Sequence, residues 1–281
     1  MAARLIVTGD DFGASPDVNA AVVHAHREGI LTSTSLMVTG DAADEAVALA
    51  RELPSLSTGL HLVLCDGRAA CRPESIPDLV DAEGRLPATP LRAGLQDWFR
   101  RRRLRAQLER EIRAQLERYL ASGLPLDHLD GHHHLHMHPV VFEILLRCLP
   151  EYRVAWLRLM DEDPGAREPG APARAELVPA IFSWLARGHR RALARAGMGC
   201  ADHVYGLRAT GRMDAARLAW LLPRVRGDCV ELFAHPRRDT AQGRREEEAL
   251  CAPAVHAALA AAGHHLAGTR ELARARRGVA A

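Results

Sequence analysis

The 281-residue chain contains no lysine, so all 37 basic side chains are arginines, set against 35 acids. Together with the heavy alanine usage, this is the bias of a GC-rich genome and carries no functional meaning. The formal net charge of +2 gives no electrostatic reason to expect a polyanion, so nucleic acid is not an expected partner. Six cysteines are scattered at positions 65, 71, 148, 200, 229 and 251 without a CxxC pair. They read as reduced thiols of a cytosolic protein. No stretch approaches the roughly 18 apolar residues of a membrane span. The start, Met-Ala-Ala-Arg, runs directly into Leu5-Ile6-Val7 without the apolar core of a signal peptide, and the expectation is a cytoplasmic location.

What is present is an alternation of short apolar runs and helical patterns. Strands are predicted at Arg4–Thr8, Thr32–Val38, Gly59–Leu64, Leu126–Asp130, Val154–Arg158, His203–Tyr205 and Cys229–Ala234, with a weak eighth near His265–Ala267. The first helix opens at Ser15-Pro16-Asp17, where serine suits the N-cap and proline the first turn, and Gly29 stops it. Further helices are expected at Asp41–Glu52, Leu91–Ala121, Glu176–Ala196, Asp214–Leu222, Glu246–Ala262 and Thr269–Arg276. Strand–helix alternation implies a parallel sheet, and seven or eight units suit a (β/α) barrel formed by a single domain over residues 1–281, although no internal repeat supports it. The irregular stretches Arg68–Pro90 and Asp161–Arg174 read as βα loops over a site, or as plain surface.

Four signals carry chemistry. Asp10-Asp11-Phe12-Gly13 closes the first strand. Adjacent carboxylates on an extended segment point to opposite sides, so one can hold a metal while the other faces a reacting water. A β-turn with acids at a strand end has the same appearance. Between His128 and His138 lie six histidines in eleven residues. If that tract stays extended, His132, His134, His136 and His138 share one face. Imidazole is the commonest ligand of zinc-like ions, and a tag-like run fits poorly at the end of a buried strand. His61 sits in an apolar strand and by itself reads as a satisfied core histidine. Added to a carboxylate and a second imidazole, it would make a three-ligand site with an open position, which binds water and lowers its pKa towards roughly 7. Finally, Pro236 ends the last strand and turns His235 into the loop layer. All four signals fall at C-terminal strand ends, the active face of a barrel.

The stretches Val7–Gly13, Gly29–Val38, Gly59–Leu62, His128–Met137 and His235-Pro236 together resemble the YdjC-like carbohydrate deacetylases, the family that includes chitooligosaccharide deacetylases. That resemblance implies a TIM-like barrel and one divalent metal, Zn2+ or Mg2+, held by Asp11, His61 and His132. It also implies Asp10 as general base and His235 as acid. Gly9 and Ala234 replace the alanine and cysteine often seen before these motifs. Leu53–Leu56, Ile76–Asp81, Asp202–Leu207 and Met213–Leu218 further resemble the hopanoid-biosynthesis-associated members, which implies an N-acetylglucosaminyl hopanoid lipid as substrate.

The expected reaction is amide hydrolysis of an N-acetylated amino sugar, with Asp130 a candidate to support a ligand histidine from behind. A free chitooligosaccharide such as diacetylchitobiose is the alternative substrate. A non-catalytic, metal-dependent sugar-binding or regulatory protein is the alternative of another class, though it would not need Asp10. The arginine run Arg100–Arg103 with Arg105 reads as a solvated helix face or a peripheral contact with the inner membrane. A homodimer is compatible with all of this.

Overall fold

The computed structural model describes residues 2–99, 101–168, 170 and 172–276. Its centre is β1 (Arg4–Phe12), the start of which is buried almost without a break through Leu5, Ile6, Val7 and Thr8, as expected of an inner parallel strand covered on both faces. β2 (Ser33–Leu36), β3 (Ser57–Leu62) and β4 (His128–Gly131) follow on one side of β1; β6 (Cys229–Ala234) and β5 (His203–Tyr205) lie on the other. All pairings are parallel in the order β4-β3-β2-β1-β6-β5, and a two-residue β7 (His265–Leu266) pairs with the first residues of β1 off that path. The helices are α1 (Pro16–Glu28), α2 (Ala43–Glu52), α3 (Pro90–Phe99), α4 (Arg101–Ala121), α5 (Pro139–Cys148), α6 (Leu177–Arg195), α7 (Ala215–Leu221), α8 (Ala241–Cys251), α9 (Pro253–Ala262) and α10 (Thr269–Arg276).

The start of α1 follows the expected chemistry: the Ser15 hydroxyl accepts from the Val18 amide at 3.3 Å, Pro16 occupies the first turn, and Gly29 caps the end. The segment expected as one helix over residues 91–121 is helical on both sides of Arg100, which lies outside the described residues. Elsewhere the expectations need correction. The predicted helix Glu246–Ala262 is two helices, because Pro253 cannot continue the first and opens the second. Helix α5 directly follows the histidine tract and was not anticipated.

The sheet is a curled half-barrel and does not close. The predicted strand Val154–Arg158 pairs with each flank through one residue alone: Leu129 bridges Leu157, and Trp156 bridges Gly199. The segment is tied in only locally, by backbone hydrogen bonds of Leu129 with Trp156 and Arg158 and of Gly199 with Ala155 and Leu157, and forms no continuous ladder between β4 and β5.

Close backbone approach fixes the β3–β4 side. A Cβ on Gly59 would stand 2.5 Å from the His128 ring, so only glycine lets that ring lie across β3. His128 is held between Ser35 Oγ at 3.1 Å and Thr269 Oγ1 at 3.0 Å, and Ser35 in turn donates to Asp130 at 2.7 Å. Burial, only partly offset by Asp130, depresses the His128 pKa to about 4. The unfolded chain therefore takes up a proton near pH 6.5 that the folded chain refuses, and stability falls as the pH drops from 6.5 to 4. The contribution is on the order of 3 kcal/mol. Urea unfolding across this range should show a steeper acid decline for the wild type than for His128→Gln; equal declines would exclude His128 as the source.

Candidate active site

The four sequence signals meet at the C-terminal rim of the sheet. The register between β1 and β2 shifts between Gly9 and Phe12, and Asp11 takes a left-handed backbone with φ 65°. This bulge separates the two adjacent carboxylates, a different route from the extended alternation expected. Asp10 turns into the sheet interior and is buried, while Asp11 faces the histidines. Asp11 Oδ1 lies 3.3 Å from His61 Nε2 and 3.0 Å from His132 Nδ1. Ligand atoms of Asp11, His61 and His132 all fall within 4.8 Å of one another. Behind them, His61 Nδ1 donates to Asp130 at 2.7 Å, which leaves Nε2 as the open nitrogen.

The histidine tract is not extended. It folds into short turns joined by a kink within His132–Met137, where His133 at φ 50° and His134 at φ 58° take a left-handed backbone. Its histidines therefore point in different directions. His132 joins Asp11, and His133 comes within 3.6 Å of Asp66. His134 lies edge-on to Phe182 and Phe233, and His136 is buried with Nε2 donating to the Arg158 carbonyl at 3.0 Å. Non-glycine residues in the left-handed region are uncommon and cluster at functional sites. Four of the five among the described residues (Asp11, Asp66, His133 and His134) line one cavity of about 1060 Å³.

Arg158, read from the sequence only as the end of a strand, organises the interior. It is fully buried and donates to both Asp10 oxygens at 2.7 and 2.9 Å, to Asp130 at 2.9 Å and to Glu231 at 2.8 Å, with the Phe233 ring 5.1 Å away. Three buried carboxylates thus face one guanidinium, with Asp11 beside them against the imidazoles of His61 and His132. The excess negative charge shows in the neighbours. Burial pushes His61 down, but Asp130, Asp11 and Asp10 outweigh it and lift its pKa to about 10. Burial raises Asp11, yet His132 and His61 hold it well below the usual carboxylate range. Such a site attracts a cation. Two imidazoles and one carboxylate suit a zinc-class ion better than magnesium, which favours oxygen ligands. A second set, Asp66, His132 and His133, also has ligand atoms within 4.8 Å but shares His132 and is largely exposed.

His235 stands across the cavity. Its backbone amide donates to Glu246 at 2.7 Å, and its Nε2 is 4.0 Å from Asp10 Oδ2. The cavity is polar at this floor and apolar along one wall, where Val178, Ile181, Phe182 and Leu185 of α6 face it, with Pro90 and Leu91 at its mouth. Of the stretch Arg68–Pro90 only Pro90 lines the cavity, and none of the described residues of Asp161–Arg174 does. The former is tied to α4 instead, where Glu111 accepts from the amides of Ala70 and Cys71.

A match to the YdjC-like protein family spans residues 4–261. The chain belongs to that family. Among its YdjC-like relatives, a carbohydrate deacetylase of Brevibacillus brevis is 46% identical over 151 residues, covering 54% of this chain and 57% of the relative. A chitooligosaccharide deacetylase of Serratia marcescens is 34% identical over 164 residues, covering 58% and 62%. The chain thus spans less than two thirds of the length of the curated relatives it matches. A protein of Enterococcus faecalis V583, named in its crystal structure as a candidate cellobiose-phosphate cleavage protein, superposes with a TM-score of 0.75 at 22% identity. That alignment covers 97% of this chain and 99% of the other, and it shows a shared fold. The hopanoid-associated branch finds no support among these relatives.

The charge network of this YdjC-like site makes a stability prediction. Arg158→Leu leaves Asp10, Asp130 and Glu231 buried without their cation, which costs about 3–5 kcal/mol at neutral pH. The orphaned carboxyls then take up protons more readily than in the unfolded chain, so the deficit narrows as the pH falls. Denaturant unfolding of both proteins across pH checks this; a deficit that stays constant with pH would contradict it.

Proposed function

We propose that the protein is a metal-dependent hydrolase that removes the acetyl group from an N-acetylated amino sugar. The observation that carries this reading is the convergence of Asp11, His61 and His132 beside a second carboxylate, Asp10, and a histidine, His235, on the floor of one cavity. The relatives named as carbohydrate deacetylases support it, although they align over little more than half their length.

Asp11, His61 and His132 would hold one divalent cation, which when bound acidifies a water and polarises the acetyl carbonyl. The protein's own groups handle the protons. Arg158 fixes both Asp10 oxygens and leaves each a free lone pair, so Asp10 takes the water proton as the hydroxyl adds to the carbonyl carbon. When the C–N bond breaks, the sugar nitrogen needs a proton, and His235 is the donor. His235 Nε2 and Asp10 Oδ2, 4.0 Å apart, are too far for a direct hydrogen bond and act as separate acid and base. After turnover Asp10 returns its proton to solvent and His235 takes one from it. A non-catalytic metal-binding protein would not need an acid and a base facing one cavity.

The finer reading is a sugar attached to an apolar aglycone such as a hopanoid lipid. Its support is the apolar α6 wall, which a free chitooligosaccharide would leave uncovered. The chitooligosaccharide is the second reading, favoured by the Serratia marcescens relative.

Acetate release separates these readings. The zinc-loaded protein is given an N-acetylglucosaminyl lipid in detergent and N,N′-diacetylchitobiose at matched concentration. The expected result is release from the lipid glycoside. It should fall by about 10²–10⁴-fold in Asp10→Asn, which keeps the metal and loses the base. Release from diacetylchitobiose alone would overturn the lipid reading, and no release from either substrate would overturn deacetylation.

A further inference from the structure

Large apolar side chains are left exposed beside the mouth of the cavity. Leu177, Val178, Ile181 and Trp184 of α6 are 64%, 51%, 49% and 66% exposed, and Leu91 at the start of α3 is 72% exposed. Val178, Ile181 and Leu91 also line the cavity, so the patch and the apolar wall are continuous. An exposed apolar surface of this kind marks an interaction site.

The order of residues along α6 indicates what covers it. At 100° per residue, Leu177, Ile181, Trp184, Gly188, Arg191 and Arg195 lie on one stripe. The first two turns of that stripe are apolar, a tryptophan follows, and the last turns are basic, with Arg187 at the edge. Arg187, Arg191 and Arg195 are exposed, and the helix has no acidic residue along its 19 positions. A groove of about 440 Å³ beside Trp184 is lined by Arg187 and Arg191 together with Pro139, Leu185 and Gly188. Aliphatic side chains favour the acyl region, tryptophan the interface, and arginine the phosphates. A helix presenting them in that order fits an anionic bilayer entered at a tilt, with its N-terminal end deepest. A second copy of the chain fits poorly. Paired antiparallel along their lengths, two such helices would set apolar turns against arginines. A stable dimer also buries roughly 800 Å² on each partner, more than these five side chains expose.

Part of the arginine run read as a solvated helix face or a peripheral membrane contact is engaged in ion pairs. Arg103 pairs with Asp78 and Arg105 with Glu143, both at 2.7 Å. Arg100 lies outside the described residues.

We propose that the outer stripe of α6, with Leu91, docks the protein on an anionic lipid surface and opens the cavity mouth towards the bilayer. This does not depend on the chemistry at the cavity floor, and no helix among the described residues is long and apolar enough to cross a membrane. The test uses the full chain with vesicles of equal parts phosphatidylglycerol and phosphatidylcholine, against vesicles of phosphatidylcholine alone. The wild type should co-sediment with the anionic vesicles, and its tryptophan emission should shift to the blue, a shift absent in Trp184→Phe. Binding should weaken at least tenfold in Leu177→Glu and in the Arg187→Glu/Arg191→Glu double variant, each with an unchanged circular dichroism spectrum and melting temperature. Failure of the wild type to bind anionic vesicles would overturn the proposal, as would variants that bind like the wild type. Self-association lost in Leu177→Glu, without vesicle binding, would assign the face to a second copy and overturn it equally. Vesicle binding is read without acetate release, so its failure and that of the deacetylase reading are distinguishable.

Discussion

The guanidinium of Arg158 lies fully buried, and three strands each send it a carboxylate: Asp10 from β1, Asp130 from β4 and Glu231 from β6. The arginine itself comes from the segment that crosses the open side of the sheet, where the backbone makes only one-residue bridges. The charge network therefore spans the interval that no ladder closes. A buried network of this kind contributes less to net stability than to geometry, because desolvation consumes much of the Coulombic gain. Here the geometry it fixes is that of the reacting groups. Asp10 is clamped through both oxygens, and Asp130 is shared between Arg158 and His61. His136 anchors the Arg158 carbonyl from below.

Around this centre, the backbone departs from regular structure wherever a side chain must be aimed. The bulge at Asp11 sends two neighbouring carboxylates into different surroundings, one against arginine and one against two imidazoles. The left-handed turn at His133 and His134 spreads a histidine run over separate surfaces, so that one serves the candidate metal set, one lies near Asp66 and one packs among phenylalanines. Strain of this order persists because the buried network and the packing of α5 over-determine the segment.

Much of this was legible in the sequence. The parallel α/β architecture followed from alternating periodicities, and the start of α1 from its Ser-Pro cap. The motif residues Asp11, His61 and His132 do converge. What the sequence hid was conformational. Period-two alternation was assumed through residues 132–138, and nothing in a row of histidines announces a left-handed kink. The barrel was over-closed because Val154–Arg158 has the composition of a strand, whereas pairing depends on neighbours too far along the chain to read. A signal for Arg158 was nonetheless present. It and Glu231 are lone charges of opposite sign inside apolar runs that were both read as buried strands, and buried charges come in pairs. The apolar wall of the cavity does not come from Arg68–Pro90, one of the stretches read as a loop over a site. It comes instead from α6, whose outward apolar stripe is visible only when its residues are placed at helical spacing.

The account rests on Asp11, His61 and His132 acting as one cation site next to Asp10. Anomalous diffraction from crystals grown with Zn2+ tests this most directly. It should show one strong peak about 2.0–2.2 Å from Asp11, His61 Nε2 and His132. A principal peak between Asp66 and His133, or none within the cavity, would contradict it.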